Sequence, residues 1–279
     1  MVLRREPDPH QVGAFLMLLR FRGEDADEIT GMVEAARKPW IGSHVDLDWP
    51  SYGAGRTRGA PWFLLSALAL ARAGVKVLMH GSNEHSAGTS VESGLGALGL
   101  EPNIEQDGFT YLPLSTLSPE MDALLRMRRL FGLRSPVNTV ARLLNPGEAA
   151  AGVDGVFHPP YIAVHVGVAE RLSRPRLFVL KGGGGEAERV PLKPASGWLW
   201  DIGKGQIEIA LAARSGLQAL SPDTDTPELL ASVWRGDVAS PTAVATIIAT
   251  IGLGLLALGW ATTADVAEQD AARIWRNRI

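Results

Sequence analysis

Arginines that directly follow a glycine-rich turn are the residues of this sequence best suited to bind an anion. The turn lies between residues 45–47, predicted as a strand, and an apolar helix predicted from residue 61. Backbone amides in such turns and at helix N-termini lack partners and carry partial positive charge, so they attract phosphates. The alternative is a strand–helix connection with solvated arginines. The anion-binding residues that we predict here are Ser51, Tyr52, Gly53, Gly55, Arg56 and Arg58.

A histidine ends the next apolar stretch, residues 75–79, which we predict to be a buried strand. His80 and Gly81 would then lie at the carboxyl edge of a parallel sheet, where α/β proteins bind ligands. We predict both as ligand-binding residues, and a histidine that is hydrogen-bonded at the strand end is an equal alternative. Glu84 and His85 follow closely, but the spacing is not that of a helical metal-binding motif, so we predict no metal site there.

Four consecutive glycines, residues 182–185, separate Lys181 from Glu186. Glycines allow a backbone to approach a phosphate closely, so Lys181 is included among the predicted ligand-binding residues. The alternative interpretation is a flexible hairpin. Glu186 is only a weak candidate for binding magnesium, because one carboxylate is a poor site for this ion.

The composition narrows the classes of function. The 279 residues include no cysteine, which excludes disulfides, thiolate metal sites and thiol catalysis. The net charge of −3 gives no basic field over the whole chain, so any site for a polyanion must be a local patch. A charged cluster is usually a solvated surface, with a phosphate-binding face as the alternative. The arginine clusters are Arg126, Arg128, Arg129 and Arg142; Arg171, Arg174 and Arg176; and Arg273, Arg276 and Arg278.

The order of the predicted elements indicates an α/β fold in which a small helical bundle accompanies a mainly parallel central sheet. Capping patterns begin helices after Asp8 and Asp25, and helical periodicity returns at residues 118–144. Residues 189–205 are rich in proline, glycine and tryptophan, and we predict loops there. The predicted domains are a helical domain of residues 1–42 and 115–146 and an α/β domain of residues 43–114 and 147–279.

Residues 243–261 form an apolar stretch about long enough to cross a membrane. We predict a buried core helix instead, because Ser240 and Pro241 form a typical helix start and no aromatic belt or basic flank is present. The N-terminal residues are polar and lack the pattern of a signal peptide, so we expect a cytoplasmic protein without a membrane partner.

Four segments resemble motifs of anthranilate phosphoribosyltransferase and its relatives in glycosyltransferase family three. SYGAG at residues 51–55 takes the place of the family's phosphate loop, usually GTGGD, and KVLMHG at residues 76–81 that of KVAKHG. RSPVNTVARLLNP at residues 134–146 is similar to RTIFNLLGPLTNP, and LKGGGGEAE at residues 180–188 replaces a loop with an acidic pair. The resemblance covers nearly the whole chain. It implies a nucleoside phosphorylase/phosphoribosyltransferase-like fold and a homodimer formed through the helical domain.

The resemblance also implies site residues. Enzymes of this family bind phosphoribosyl pyrophosphate with magnesium and join its ribose to an aromatic amine or base. Arg134 and Asn138 match the family position that lines the acceptor site, where Arg134 would bind a carboxylate or phosphate. The alternative is that Arg134 caps the preceding helix.

Several departures from the family pattern imply a degenerate site for phosphoribosyl pyrophosphate and magnesium. Magnesium prefers carboxylate oxygens, and a pyrophosphate leaving group needs its charge neutralised. The acidic pair is reduced to Glu186 followed by Ala187. The other residues that replace the family's polar groups are Gly55, Pro61, Phe63, Leu64 and Met79.

Residues 50–56 and the ending of residues 143–146 are similar to a non-canonical branch of the family, the YbiB-type DNA-binding paralogues. This similarity implies a protein that binds a phosphate-containing ligand, with nucleic acid favoured. The alternative is an active phosphoribosyltransferase that transfers phosphoribose to an unknown aromatic acceptor. We expect magnesium as a cofactor only under that alternative, and we assign no catalytic residue.

Overall fold

A computed structural model of the chain describes residues 2–4, 6–38, 41–53, 59–84, 88–220 and 226–279. In this part of the chain, seven strands form one sheet in the order β3-β2-β1-β4-β5-β6-β7. The strands are β1 (Leu47–Ser51), β2 (Val77–Gly81), β3 (Phe109–Pro113), β4 (Ala151–Val156), β5 (Arg176–Lys181), β6 (Ala195–Asp201) and β7 (Gly205–Leu211).

The predicted α/β fold with a mainly parallel sheet is confirmed. Strands β1 to β5 pair in parallel, whereas β6 and β7 add an antiparallel edge. The loops predicted over residues 189–205 are therefore wrong in part, because β6 and the start of β7 lie there. Every second residue of β7 is exposed, as expected for an edge strand with one solvated face. Strand β4 also escaped prediction, since its sequence AGVDGV contains glycine and aspartate, which are rare in strands.

Strands β1 and β2 run further toward their carboxyl ends than the apolar pattern predicted. Ser51 is the last residue of β1 and pairs with Gly81, the last residue of β2. Side chains beyond the apolar stretches, including His80, consequently belong to the buried sheet rather than to the loops that follow it.

Helices cover both faces of the sheet. The helix cap predicted at Asp8 and the capping box predicted at Asp25 are both present, and the cap at Asp8 is also a capping box. The helices are α1 (Pro9–Arg22), α2 (Ala26–Ala36), α3 (Trp62–Arg72), α4 (Val91–Ala97), α5 (Leu114–Leu117), α6 (Pro119–Arg126), α7 (Arg128–Phe131), α8 (Val137–Arg142), α9 (Tyr161–Arg171), α10 (Pro227–Arg235), α11 (Pro241–Leu258) and α12 (Ala264–Arg276).

Helix α11 is the predicted core helix. Among the described residues it alone is long and apolar enough to span a membrane, and 83% of it is buried inside the protein. It packs against α3 and α12 and on the sheet at β4 and β5. Ser240 precedes it without a side-chain capping bond, so the helix begins at Pro241 by backbone conformation alone.

Two apolar cores lie on opposite faces of the sheet. One joins α3, α10, α11 and α12 to the sheet. The other joins α1, α2, α6, α8 and α9 to the opposite face and includes Tyr52 and Val156. The helical bundle thus shares its core with the carboxyl ends of β1 and β4, which places α8 beside the turn after β1. The predicted division into domains stays a prediction.

Candidate functional site

A chain of buried polar groups lies under the carboxyl ends of β1 and β2. The Tyr52 hydroxyl is 2.6 Å from Nδ1 of His80, and Nε2 of His80 is 3.2 Å from Oδ1 of Asp48. The other carboxylate oxygen of Asp48 accepts a hydrogen bond from Nη2 of Arg174 at 3.0 Å. Because Asp48 attracts the imidazole proton to Nε2, Nδ1 is left to accept from Tyr52.

Arg174 reaches Asp48 only because β4 carries a glycine at the crossing point. A Cβ atom on Gly152 would lie 1.9 Å from Nη2 of Arg174. Burial opposes ionisation of Asp48, but His80 and Arg174 outweigh it and hold the pKa of the carboxyl below its usual value. The chain of groups is therefore a charged element of the core, in which Asp48 pairs with both His80 and Arg174.

This network contains the hydrogen-bonded histidine that the sequence left open as one of two alternatives. His80 and Tyr52 are fully buried and bonded to each other, so His80 is the hydrogen-bonded histidine at a strand end. Ser51 is buried too, and its carbonyl accepts from the amide of Ser82 at 3.1 Å. Gly81 is packed against that carbonyl, with 2.0 Å between it and the place of a Cβ. These residues position the start of the turn after β1, and their role in ligand binding stays a prediction.

The turn after β1 is tied to the tetraglycine segment. Glu186 is buried, and its Oε1 accepts a hydrogen bond from the amide of Gly53. Gly155 of β4 permits this packing, because a Cβ there would lie 2.1 Å from the carbonyl carbon of Glu186. Lys181 ends β5 beside Val156, with its side chain exposed. The predicted residues Gly55, Arg56 and Arg58, and His85, lie outside the described residues.

A pocket opens on the other side of α8, and we call it the Arg134 pocket. Its volume is about 50 Å³, and it opens to solvent. Arg134 and Asn138, which the sequence predicted as site residues, both line it. The lining comes from α1, the start of α8, the end of β4 and α9: Arg20, Arg134, Ser135, Asn138, Thr139, Arg142, Gly155, Val156, Phe157, His158, Tyr161 and His165.

Buried hydrogen-bond donors converge in the Arg134 pocket. Nε of Arg134, Nη2 of Arg142 and Nδ2 of Asn138 are buried and find no hydrogen-bond partner among the described residues. Burial lowers the pKa of Arg134 to about 10, and the positive charges of Arg128, Arg142 and Arg20 add to the effect. The Arg134 guanidinium also lies 5.9 Å from the centre of the Phe157 ring. Such a group of unpartnered cationic donors is suited to an anion.

Arg142 links the pocket to the turn after β1. Its Nη1 donates to the carbonyl of Asn138 at 3.2 Å, which fixes the guanidinium along α8. Burial lowers the pKa of Arg142, whereas the charges of Glu186, Asp154 and Tyr52 oppose that shift. Sequence reasoning placed Arg142 in a solvated basic cluster, and that prediction is wrong because the side chain is buried.

A buried carboxylate stands behind one wall of the pocket. Oε1 of Glu24 accepts from the Tyr161 hydroxyl at 2.9 Å and lies 3.5 Å from both Oγ1 of Thr139 and Nη1 of Arg20. Burial is the largest cause of a raised pKa for Glu24, and Arg20 and Thr139 oppose it. Arg20, Thr139 and Tyr161, which all line the pocket, therefore contact the same carboxylate.

The inner wall holds a second carboxylate, paired with a histidine. Nδ1 of His165 lies 2.7 Å from Oδ2 of Asp154, and both side chains are buried. Sequence reasoning missed this pair, together with Phe157 and Tyr161. Asp154 lies on β4 and His165 on α9, so no periodicity within one element signals the pair.

The described carboxylates near the turn after β1 are engaged in contacts within the protein. Glu186 is bonded to the Gly53 amide, and Asp48 lies between His80 and Arg174. Glu84 forms ion pairs with Arg126 and Arg129. Among the described residues no group of three or more His, Cys, Asp or Glu side chains could hold a metal ion.

Comparison with known proteins agrees with this architecture. Residues 1–38 match the helical bundle domain of the glycosyl transferase family. The anthranilate phosphoribosyltransferase of Anaeromyxobacter sp. (strain Fw109-5) is 34% identical over 190 residues, which are 63% of this chain and 56% of that protein. The enzyme of that name from Halobacterium salinarum (strain ATCC 29341 / DSM 671 / R1) is 30% identical over 188 residues, 62% of this chain and 56% of that protein.

Part of this chain is similar in sequence to the anthranilate phosphoribosyltransferases. The resemblance stated from its motifs is confirmed, while the assignment to the YbiB-type branch stays a prediction. The matched segment spans 56% of the length of these two relatives.

Solved structures of anthranilate phosphoribosyltransferases share the fold. The enzyme from Thermus thermophilus superposes with a TM-score of 0.79 at 24% identity, covering 99% of this chain and 88% of that one. The Saccharomyces cerevisiae enzyme in complex with PRPP and Mg gives a TM-score of 0.74 at 16% identity, covering 99% of this chain and 86% of that one. The anthranilate phosphoribosyltransferase fold is thus present over nearly the whole chain.

Proposed function

We propose that this anthranilate phosphoribosyltransferase-like protein binds a small phosphate-containing or carboxylate-containing molecule in the Arg134 pocket. The convergence of Nε of Arg134, Nη2 of Arg142 and Nδ2 of Asn138 carries the proposal. Leaving a buried donor without a partner costs about 1–3 kcal/mol, and more for a charged group. An anionic ligand removes that cost at all three atoms.

A compact ligand fits the charges better than an extended polyanion does. Arg126 pairs with Asp122, and Arg171 pairs with Asp27, so these members of the basic clusters are already neutralised. Arg174 is buried against Asp48. Nucleic acid, which the sequence favoured, stays a prediction, and the described surface adds little to it.

The proposal is tested by titrating the protein with inorganic phosphate and with benzoate in a calorimeter. Arg134→Ala is expected to weaken binding by about 1–3 kcal/mol, because it removes a charge-assisted hydrogen bond. Arg235→Ala is the matched control, since Arg235 forms its ion pair with Asp237 on the exposed end of α10. Equal affinity of the wild type and the Arg134 variant for both anions would rule the pocket out.

A second candidate function is phosphoribosyl transfer to an acceptor bound in the same pocket. The relatives bear the name of that activity, and one solved relative is a complex with PRPP and Mg. In this chain Arg142 lies between the pocket and the turn after β1. It is close enough to Glu186 and Tyr52 for their charges to raise its pKa. This supports two neighbouring subsites, one for each substrate of a transferase.

The described carboxylates argue against that candidate, because they are engaged in other contacts. Thermal unfolding with phosphoribosyl pyrophosphate and magnesium discriminates between the two functions. A transferase is stabilised by its bound substrate, by an amount that grows with ligand concentration. The absence of any stabilisation, combined with binding of phosphate or benzoate, would leave the anion-binding function alone.

A further inference from the structure

The His165–Asp154 pair is a buried titratable group of the Arg134 pocket with no assigned role. His165 lies on α9 and is 2% exposed, and Asp154 on β4 is fully buried. The pair is held at 2.7 Å through Nδ1 of the imidazole. Although His165 is almost fully buried, it is part of the pocket lining.

The geometry leaves one ring nitrogen of His165 for a ligand. The Asp154 carboxylate accepts from Nδ1, which fixes the ring orientation and the proton on that nitrogen. Nε2 lies on the opposite side of the ring, and no described residue forms a hydrogen bond with it. A second proton on Nε2 would turn His165 into one more cationic donor beside Arg134 and Arg142.

The surrounding charges decide when that second proton binds. Asp154 carries a charge opposite to that of an imidazolium, whereas the guanidinium groups of the pocket carry the same charge. A bound dianion would neutralise part of the positive charge of the arginines and would thereby favour the protonated ring. The titratable and charged groups on the elements packed around His165 are Arg20 and Glu24 near the end of α1, Arg134 and Arg142 at α8, Asp154 on β4, His158 and Tyr161 at α9, and Glu186.

We propose that His165 is a further ligand-binding residue of the Arg134 pocket and that a tetrahedral dianion takes up a proton at this imidazole when it binds. The inference rests on the proposed function, and it narrows the ligand class to molecules that bear a doubly charged phosphate. A carboxylate, with one charge, offsets the arginines less and takes up less of a proton. Asp154 acts as a positioning residue, because it touches the imidazole and not the ligand.

Sulfate is the probe for this proposal, because it stays doubly charged across the pH range in which histidine titrates, unlike phosphate. Calorimetry in two buffers of different ionisation enthalpy measures the protons taken up per sulfate bound. We expect uptake of up to about one proton by the wild type near pH 7, and tighter binding at lower pH, because binding is linked to proton uptake.

Two histidine variants locate the proton. His165→Gln is expected to abolish proton uptake and to lower sulfate affinity about tenfold at pH 6, because it removes a charged donor. His44→Asn is the matched control, since the exposed His44 pairs with Asp46 and does not line the Arg134 pocket, and it should keep the wild-type uptake. Asp154→Asn keeps the imidazole but weakens its charged form, so it should lower the uptake.

If the His165 variant does not fold, the wild type still decides the matter. The ring proton signals of the histidines in a nuclear magnetic resonance titration should show one buried histidine becoming protonated with sulfate. Sulfate binding without proton uptake, or uptake that persists in His165→Gln, overturns this inference and leaves the proposed function intact. Failure of the wild type to bind sulfate, phosphate or benzoate overturns both.

Discussion

The hydroxyl of Tyr52 lies 2.6 Å from Nδ1 of His80, although 28 residues separate them in the sequence. Their rings meet edge to face, with 5.4 Å between the ring centres. Tyr52 immediately precedes Gly53, whose amide is held by Glu186. The contact therefore ties the turn after β1 to the end of β2 and fixes the start of the turn from both sides.

The charged network below this contact is expected to dominate local stability. Asp48→Asn would leave Arg174 buried without its counter-charge, at a cost of about 3–5 kcal/mol in the free energy of unfolding. Chemical denaturation of the variant measures this loss. Asp107→Asn, which removes an exposed partner of Arg72, is the control and should change stability by less than about 1 kcal/mol. Similar values for both variants would contradict the buried ion pair.

The glycine beneath Arg174 provides an independent test of the same network. Gly152→Ala places a methyl group 1.9 Å from the position of Nη2, so Arg174 must move away from Asp48. We expect a loss of about 1–3 kcal/mol in unfolding free energy, as found for overpacked cores. Gly183→Ala is the matched control, since a Cβ there meets nothing within 4 Å. A Gly152 variant as stable as the wild type would mean that the Arg174 side chain can adopt another conformation without loss of stability.

Glu24 should make stability depend on pH. Its pKa is raised in the folded protein, so the folded state keeps a proton that the unfolded chain loses above the ordinary carboxyl pKa of about 4.3. The contribution of this group to stability is therefore complete at lower pH and is lost as the pH rises through the folded pKa. Glu24→Gln keeps an oxygen for the Tyr161 hydroxyl and removes the titration. Its unfolding free energy relative to the wild type should rise with pH, and a constant difference would refute the assignment.

The exposed apolar side chains of α1 support the predicted homodimer, which stays a proposal. Phe21 is 92% exposed, and Leu18 on the same helix is 68% exposed. Phe21→Glu is expected to shift the protein toward a monomer in sedimentation velocity experiments, because a charge would be buried in the interface. Ile202→Glu, at an exposed apolar position in the turn between β6 and β7, should leave the assembly unchanged. If wild type and Phe21 variant sediment alike, this face is not the contact.

Several features of this protein followed from the sequence because they depend on local chemistry. The helix cap at Asp8, the capping box at Asp25 and the buried helix α11 were predicted correctly, since capping bonds and apolar periodicity act within a few residues. The motifs around residues 51–55 and 134–146 indicated the resemblance to anthranilate phosphoribosyltransferases, and the α/β order predicted the mainly parallel sheet. Arg134 and Asn138 were found by resemblance, and the structure does bring them together in one pocket.

Tertiary structure alone decided which polar side chains line a pocket and which are buried in the core. The sequence predicted His80 as a ligand-binding residue, but the parallel register of β1 and β2 places Tyr52 and Asp48 in contact with it. The pocket draws its lining from segments as distant as Arg20 and His165, and the sequence carries no spacing rule for such a set. The reason is physical, because burial and pairing depend on distances that are set only when the sheet and its covering helices pack.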